Sequence, residues 1–229
     1  MREEEIGKYG IRYKAVAFFI SIYLYSPISL HAQQFKAGLI AGVATSQVDG
    51  DNYAGYNKAG FLAGAFVSRK PSEASKWTAL LEITYIQKGS RKPPHPDKGD
   101  YTSYKLNLDY AEVPVLIRYD FGIPDSSESG GMKFSLEAGI AFGALVHSYE
   151  EDSYGALPGG VPFQKADYST IFGLNYHVST HISFNARTEY SIVPVRKGAV
   201  AQYHQNWTYN FLKPGFYNNL LTFSFRYQF

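Results

Sequence analysis

Seven charged side chains stand at alternate positions within otherwise apolar runs of the sequence. Residues two apart in an extended strand share one face, so these charges would gather on one side of a sheet. Carboxylates and guanidinium groups gathered in this way could bind a ligand or conduct protons. Alternatively, they could neutralise one another as a structural ionic core, because an unpaired buried charge is very costly. The seven are Glu82, Glu112, Arg118, Glu137, Arg187, Glu189 and Arg226.

Catalytic motifs with a fixed local spacing do not occur in the sequence. It contains no G-x-S-x-G nucleophile elbow, no H-E-x-x-H metal motif, no P-loop and no dinucleotide fingerprint. One enzymatic alternative is left, a serine–histidine pair drawn from His181, Ser183 and Ser191. His177 and His181 are four residues apart, a spacing that gives a shared face only on a helix, and none is expected there. We therefore expect no enzymatic activity, no metal and no cofactor.

The composition favours a protein that meets lipid. Aromatic residues make up 17% of the chain, with 20 Tyr and 16 Phe, and charged residues only 18%, below the roughly 25% of soluble domains. The absence of cysteine excludes disulfides, thiolate metal sites, a thiol nucleophile and a lipidated N-terminal cysteine. The net charge of +2 and the lack of a basic block argue against nucleic acid as a partner.

The first 32 residues have the order of a secretory signal. Four basic residues lie among residues 2–14, an apolar stretch covers 15–25, and a small residue, Ala32, follows a short polar segment. The apolar stretch is too short to span a bilayer, which favours a signal peptide over a membrane anchor. We place the cleavage after Ala32, so that residues 1–32 are the signal peptide and residues 33–229 the mature domain.

After residue 32 the sequence indicates strands. No segment has the roughly 18 consecutive apolar residues that a transmembrane helix needs. Apolar and polar residues instead alternate in runs bounded by Gly, Pro, Asn, Asp and Ser, which is the pattern of half-buried strands. Eight such runs lie at about 35–46, 58–69, 76–88, 104–120, 132–146, 167–178, 180–193 and 217–229.

The connections between these runs alternate in length. Those at 70–75, 123–131 and 178–179 are short, and those at about 47–57, 89–103, 147–166 and 194–216 are long. Short turns at one rim and long loops at the other are typical of outer-membrane barrels, whose termini lie on the periplasmic, short-turn side. The sequence therefore predicts an all-β fold, a closed antiparallel up-and-down transmembrane barrel of about eight strands.

Two features of this barrel stay open at the level of sequence. Alternation does not say which face is inside, and a soluble lipocalin-like barrel or sandwich would turn the apolar face inward. The many charges on the polar face, with large aromatic residues on the other, favour the membrane barrel. Pro114 cannot donate to a strand ladder, so we expect a bulge or bend around it.

Three stretches of the chain resemble a known family. Residues 108–119, with Tyr110-Ala-Glu-Val-Pro114 at their centre, match a strand motif of the PorT-like "porin family" of small outer-membrane β-barrels in Bacteroidota. Residues 81–89 and the glycine-rich opening at 33–44 resemble two further strands of that family. The resemblance covers residues 33–229 and implies a barrel in the outer membrane. The aromatic residues Phe225, Tyr227 and Phe229 would be the signal read by the barrel-assembly machinery.

The resemblance implies function only weakly, although a few members of the family are tied to protein secretion. We expect a non-enzymatic, closed barrel that presents its Tyr-rich loops for structural or partner-binding roles, since small eight-stranded barrels rarely keep an open lumen. The expected partners are outer-membrane lipid, the assembly machinery and an envelope or secretion-complex protein. The alternatives are a narrow porin-like channel for small solutes and an outer-membrane lipid-modifying enzyme.

Overall fold

The computed structural model describes residues 35–51, 53, 55–72, 74–124, 132–157, 161–197 and 215–229. The predicted signal peptide, residues 1–32, lies outside these ranges. In the described part of the chain, no helix has the length and apolar character needed to cross a membrane. The regular elements described are strands and one short 3-10 helix, Pro96–Lys98.

Eight long antiparallel strands form one sheet that closes on itself. Together with two short strands they are β1 (Phe35–Asp49), β2 (Lys58–Arg69), β3 (Trp77–Lys92), β4 (Tyr104–Pro124), β5 (Met132–Asp152), β6 (Gly155–Ala156), β7 (Ala166–His177), β8 (Ile182–Ser191), β9 (Arg196–Lys197) and β10 (Gly215–Gln228). Each long strand pairs with its neighbours in the chain, while β6 pairs with β5 and β9 with β10. The pairing of β1 with β10, from Gly38 opposite Gln228 to Asp49 opposite Tyr217, closes the ring. The predicted all-β, eight-stranded closed barrel is confirmed.

The closed sheet buries its polar side chains and exposes its apolar ones. On β8, Asn185 and Arg187 are buried, whereas Phe184 between β7 and β10 is 54% exposed. On β10, Arg226 is buried and Phe223 is exposed. This is the reverse of a soluble barrel, and it is the arrangement that suits an apolar solvent outside. The lipocalin-like alternative is therefore excluded.

The strands β3 and β5 extend well beyond their predicted ends, toward the long connections. β3 continues to Lys92 and β5 to Asp152, so residues that were predicted to belong to the loops at 89–103 and 147–166 pair instead with β4. Alternation persists in this extension: the inward positions Leu106 and Leu108 of β4 are fully buried. The polar character of residues 147–152 concealed the strand, because a strand rising above a membrane no longer needs an apolar outer face.

Pro114 interrupts the β3–β4 ladder without changing its register. The pairs on its two sides, Leu81 with Val115 and Thr84 with Glu112, keep the same alignment. The missing N–H of proline therefore costs ladder contacts but inserts no residue, and the predicted bulge at Pro114 is wrong. The register shifts of β4 lie in its ladder with β5, between Asp109 and Tyr110 and between Phe121 and Pro124.

Close approach of backbones at the seam between β1 and β10 requires glycine. A Cβ atom at Gly38 would lie 2.2 Å from the Tyr227 carbonyl oxygen and 2.5 Å from the ring of Phe66. Gly38 is on the buried face of β1, so a side chain there would have to displace both the ladder and a packed ring.

We expect Gly38→Val to destabilise the barrel by about 1 to 3 kcal/mol, because the added atoms overpack the interior at the closing seam. The measurement is the temperature at which the unboiled, folded band converts to the unfolded band on an SDS gel, which should fall. Ala41→Val adds a comparable volume to the exposed face of the same strand and should leave it nearly unchanged. Equal behaviour of the two variants would contradict the assignment of Gly38 to the packed seam.

Candidate functional site

All seven charged residues predicted to share a face lie buried inside the closed sheet. Their exposed fractions range from 0% for Glu82 to 7% for Arg118 and Arg187. They do not form one network, however, as the sequence suggested. A lower cluster, nearer the short connections, is formed by Glu82, Glu137, Arg187 and Arg226. An upper cluster around Lys88 contains Glu112 and Glu189, and Arg118 belongs to neither.

The lower cluster pairs two carboxylates with two guanidinium groups. Arg187 donates from both terminal nitrogens to Glu82, each at 2.8 Å, and also contacts Glu137 through Nε. Arg226 reaches the same two acids, at 2.6 Å to Glu82 Oε1 and 3.1 Å to Glu137 Oε2. The charges balance, and forked guanidinium–carboxylate geometry of this kind gives strong, directional ion pairs.

Amide side chains complete the coordination of Glu137. Asn175 Nδ2 donates to its Oε2 and Asn185 Nδ2 to its Oε1, both at 2.9 Å. Arg226 Nη1 additionally donates to Asn175 Oδ1 at 3.2 Å. With every carboxylate oxygen engaged, the cluster is rigid and presents no free acid to a ligand.

The upper cluster is a single ammonium group surrounded by three carboxylates. Lys88 Nζ lies 2.6 Å from Glu112 Oε1, 2.5 Å from Glu189 Oε1 and 3.2 Å from Asp167 Oδ2. Lys88 and Asp167 are fully buried, and the ammonium also sits 5.1 Å from the centroid of the Tyr110 ring. Formally, one positive and three negative charges leave this cluster at −2.

Lys88 and Asp167 were missed in the sequence-based set, although the signal for both was present. Alternation from Glu82 reaches Lys88 through Thr84 and Ile86, all on the buried face of β3. Asp167 shares the buried face of β7 with Asn175 in the same way. Both stand near a predicted strand end, where loops and strands are hard to separate.

Arg118 takes a different partner from the one expected. Instead of joining Glu82 or Glu137, its Nε lies 3.6 Å from Asp120 Oδ1, and Asp120 Oδ2 accepts from Lys70 Nζ at 2.6 Å. Arg118 lies opposite Glu137 in the β4–β5 ladder, yet its ion pair is made toward the short-connection rim, with Asp120.

Apolar layers separate and cover the charged ones. Leu80, Leu116, Ala141 and Ile171 form one buried cluster. A larger buried cluster runs from Phe66, whose ring lies beside Arg226, to Tyr104, Leu106, Leu108 and Leu220 at the long-connection end of the interior. Along the inner face of β4 the side chains are therefore charged at Asp120 and Arg118, charged again at Glu112, and aromatic or apolar from Tyr110 to Tyr104.

His181 and Ser191 lie too far apart to form a catalytic pair, and the His181 ring contacts Thr180 Oγ1 at 2.9 Å. His181 precedes the strand and Ser191 ends it, so roughly 30 Å of extended chain separates them. Another serine–histidine contact exists, Ser135 Oγ to His177 Nε2 at 2.9 Å. Ser135 is fully buried, however, and cannot meet a substrate.

A salt bridge braces the long-connection end of the barrel. Arg196 donates to both oxygens of Glu150, at 3.1 Å and 2.5 Å, and its guanidinium stacks 3.7 Å from the centroid of Phe163. Tyr104 donates its hydroxyl to Glu150 Oε1 at 2.6 Å. These contacts join β5, the segment before β7 and β9 into one layer.

Asp51, in the connection after β1, is a buried acid, and no cation of the described residues forms an ion pair with it. Burial raises the pKa of its carboxyl to about 6, and Asp49 adds to the rise, while the Ser90 hydroxyl and the Tyr53 backbone N–H oppose it. The Tyr53 N–H donates to Asp51 Oδ1 at 2.8 Å. Its charged form is therefore unfavourable in the folded state.

Because the folded protein binds the Asp51 proton more tightly than the unfolded chain does, stability should rise as the pH falls from 7 through 6 toward 4. Asp51→Asn should stabilise the protein at pH 7.5 by about 2 to 3 kcal/mol and by much less at pH 4.5. Urea unfolding at the two pH values measures this, with the exposed Asp97→Asn as control. A gain that does not depend on pH would contradict the assignment.

Comparison with known proteins gives a family and several structures of low similarity. The model of the family described as "Outer membrane protein beta-barrel domain" matches residues 31–196, more than half of the chain. No curated protein matches.

Three solved structures illustrate the low similarity. The attachment invasion locus protein Ail of Yersinia pestis, in complex with the heparin analogue sucrose octasulfate, is 11% identical with a TM-score of 0.46, covering 86% of this chain and 99% of that one. Neisserial surface protein A is 14% identical (TM-score 0.43; 85% and 97% covered). OprG of Pseudomonas aeruginosa is 11% identical (TM-score 0.34; 85% and 94% covered).

The family match agrees with the closed ring of eight long strands and with the polar interior and apolar exterior described above. The chain belongs to the outer membrane protein beta-barrel domain family and is an outer-membrane β-barrel.

Proposed function

We propose that this barrel is closed and non-enzymatic, and that it acts through the surface it presents at its long-connection rim. The observation that carries the proposal is the filled interior. Two charged clusters and two apolar clusters occupy the space inside the sheet, from the short-connection rim to the long-connection rim.

The larger buried apolar cluster is the strongest argument against a path for solutes through the barrel. Leu106, Leu108 and Leu220 are fully buried, so water does not reach their side chains. A water-filled channel is lined by polar groups, whereas these side chains pack against each other as in a protein core.

The long-connection rim offers a surface for a partner. Tyr154 is 96% exposed and Tyr101 is 73% exposed, and both lie beyond the paired strands β3 to β5. The salt bridge between Arg196 and Glu150 and the stacked Phe163 hold part of this rim in place. Tyrosine on a braced frame gives large contact area at a small entropy cost, which suits a protein partner.

The partner we propose is an envelope or secretion-complex protein, in keeping with the resemblance to PorT-like barrels of Bacteroidota. We also propose that both termini are periplasmic. The described chain starts and ends at the rim of the short connections, where Phe35 pairs with Arg69 and the Phe229 N–H donates to Ala37. Short turns at the periplasmic rim are the usual arrangement.

The proposed assembly signal lies on the lipid-facing side of β10. Phe225, Tyr227 and Phe229 are 40%, 42% and 67% exposed and alternate with inward polar residues. Barrel-assembly machinery could read this aromatic edge before β10 pairs with β1, and outer-membrane lipid would cover it afterwards.

The closed reading predicts that the purified mature domain, residues 33–229, shows no discrete conductance in a planar lipid bilayer. Occasional brief openings are compatible with it, because side chains in a packed lumen fluctuate. Incorporation is verified by the mobility shift of the unboiled protein recovered from the same vesicles. Stable, uniform current steps would contradict the closed barrel and favour the narrow-channel alternative.

If the lower cluster is structural, Glu82→Gln should destabilise the barrel by about 3 to 5 kcal/mol, since Arg187 and Arg226 lose a shared buried counter-charge. Urea unfolding followed by tryptophan fluorescence measures the loss.

Glu151→Gln is the matched control, because its 3.4 Å pair with Lys105 is partly exposed and should contribute under about 1 kcal/mol. If both variants were equally mild, the cluster would not be holding the barrel together.

A further inference from the structure

The two charged clusters inside the barrel differ in a way that the closed-barrel proposal does not explain. The lower one balances two acids with two guanidinium groups. The upper one sets three carboxylates, from Glu112, Asp167 and Glu189, against the single ammonium of Lys88. These groups are at most 5% exposed, so water does not stabilise the surplus negative charge.

Unpartnered oxygen atoms lie on one side of this cluster. Asp167 Oδ2 accepts from Lys88 and, at 2.9 Å, from Asn218 Nδ2, but its other oxygen, Oδ1, has no hydrogen-bond partner. Asn218 Oδ1 and the Tyr110 hydroxyl, which faces Asn218 and Asp167, likewise have none. All three side chains are fully buried.

The lower cluster provides the contrast. Among its acids, Glu82 and Glu137 have both oxygens engaged by guanidinium or amide donors. Of the two clusters, only the upper one, which also carries the surplus negative charge, therefore contains a carboxylate oxygen without a hydrogen-bond partner. Native proteins leave few buried polar atoms unmatched, so this coincidence needs a ligand that supplies positive charge to several oxygens at once.

The chemistry of the atoms selects the ligand. A single proton can join at most two acceptors, whereas a cation can be coordinated by all three oxygens together. The site contains only carboxylate, amide and hydroxyl oxygens and no histidine or cysteine, which suits a hard cation rather than a transition metal. Calcium accepts irregular oxygen geometry and its charge matches the formal −2 of the cluster.

We propose that the upper cluster binds a calcium ion next to Lys88, on the side of Asp167 that faces Asn218 and Tyr110. Asp167 Oδ1 and Asn218 Oδ1 are its protein ligands, with the neutral Tyr110 hydroxyl as a weaker one. The ion does not replace Lys88, whose ammonium already lies at the centre of the three carboxylates, within 4.8 Å of one another. The ion neutralises the negative charge of the three carboxylates that the ammonium of Lys88 does not balance.

The cluster packs closely against β5 at Gly143. A Cβ atom there would lie 3.2 Å from Glu112 Oε1, 3.3 Å from the Tyr110 ring and 3.4 Å from Asp167 Cβ. A side chain at this position would push the two acids out of place, so their arrangement depends on glycine here.

The test measures calcium bound to the purified, folded barrel. After exhaustive dialysis against a buffer with about 10 µM CaCl₂ as its only divalent cation, elemental analysis should find about one calcium per chain in excess of the dialysis buffer. Asp167→Asn should abolish it. Tyr110→Phe keeps the ring beside Lys88 and removes only the unpartnered hydroxyl, and it should weaken binding about tenfold without lowering the stability of the calcium-free protein.

Asp97→Asn is the matched control, because it removes an exposed carboxylate in the 3-10 helix, remote in the chain from the cluster. It should bind calcium as the parent protein does. Should Asp167→Asn fail to fold, Tyr110→Phe and the thermal shift of the parent on adding calcium decide.

Three outcomes overturn the proposal. The first is a parent protein that retains no calcium and whose unfolding midpoint ignores added calcium. The second is calcium retained equally by Asp167→Asn, which would locate the ion elsewhere. The third is a midpoint that rises on acidification and is indifferent to calcium, which would mean that protons balance the charge.

Discussion

The structure depends on the requirement that a closed sheet in lipid satisfy all its polar groups from within. No backbone edge and no charge may face the hydrocarbon, so β1 must pair with β10, and charged side chains at the depth of the hydrocarbon must turn inward. Inward charges in a narrow barrel lie close together, and they stabilise the barrel only if positive and negative charges balance. The two guanidinium groups of the lower cluster meet this requirement fully, and the upper cluster meets it only in part.

The alternation of apolar and polar residues predicted most of the fold, because each strand of a membrane barrel needs an apolar face toward lipid and a polar face toward the interior. The strands β8 and β10 could be placed nearly to the residue for this reason. Their contacts could not: whether Arg187 meets Glu82 or Glu112 depends on strand tilt and stagger, which local sequence does not encode. Arg118 is the opposite case, because its partner Asp120 lies two residues along the same strand and alternation alone places both on one face.

The errors share a physical origin in the ends of strands. Above the membrane, β3, β4 and β5 keep pairing while the outer face loses its apolar residues, so the pattern that identifies a strand fades before the strand ends. Lys88 and Asp167 fall in this region, so only Glu112 and Glu189 of the upper cluster were predicted from the sequence. At Pro114 the error was to predict a bulge that is not there. The missing N–H of proline removes ladder contacts but does not require an inserted residue.

The distribution of the lower cluster over the chain has a consequence for assembly. Its acids lie on β3 and β5, one guanidinium lies on β8, and the other lies on β10. Until β10 joins the sheet, two carboxylates share a single guanidinium, and the half-built interior carries excess negative charge. Ring closure and charge neutralisation are therefore one event. An incomplete barrel is penalised electrostatically as well as by its open edges, which makes insertion into lipid strongly cooperative.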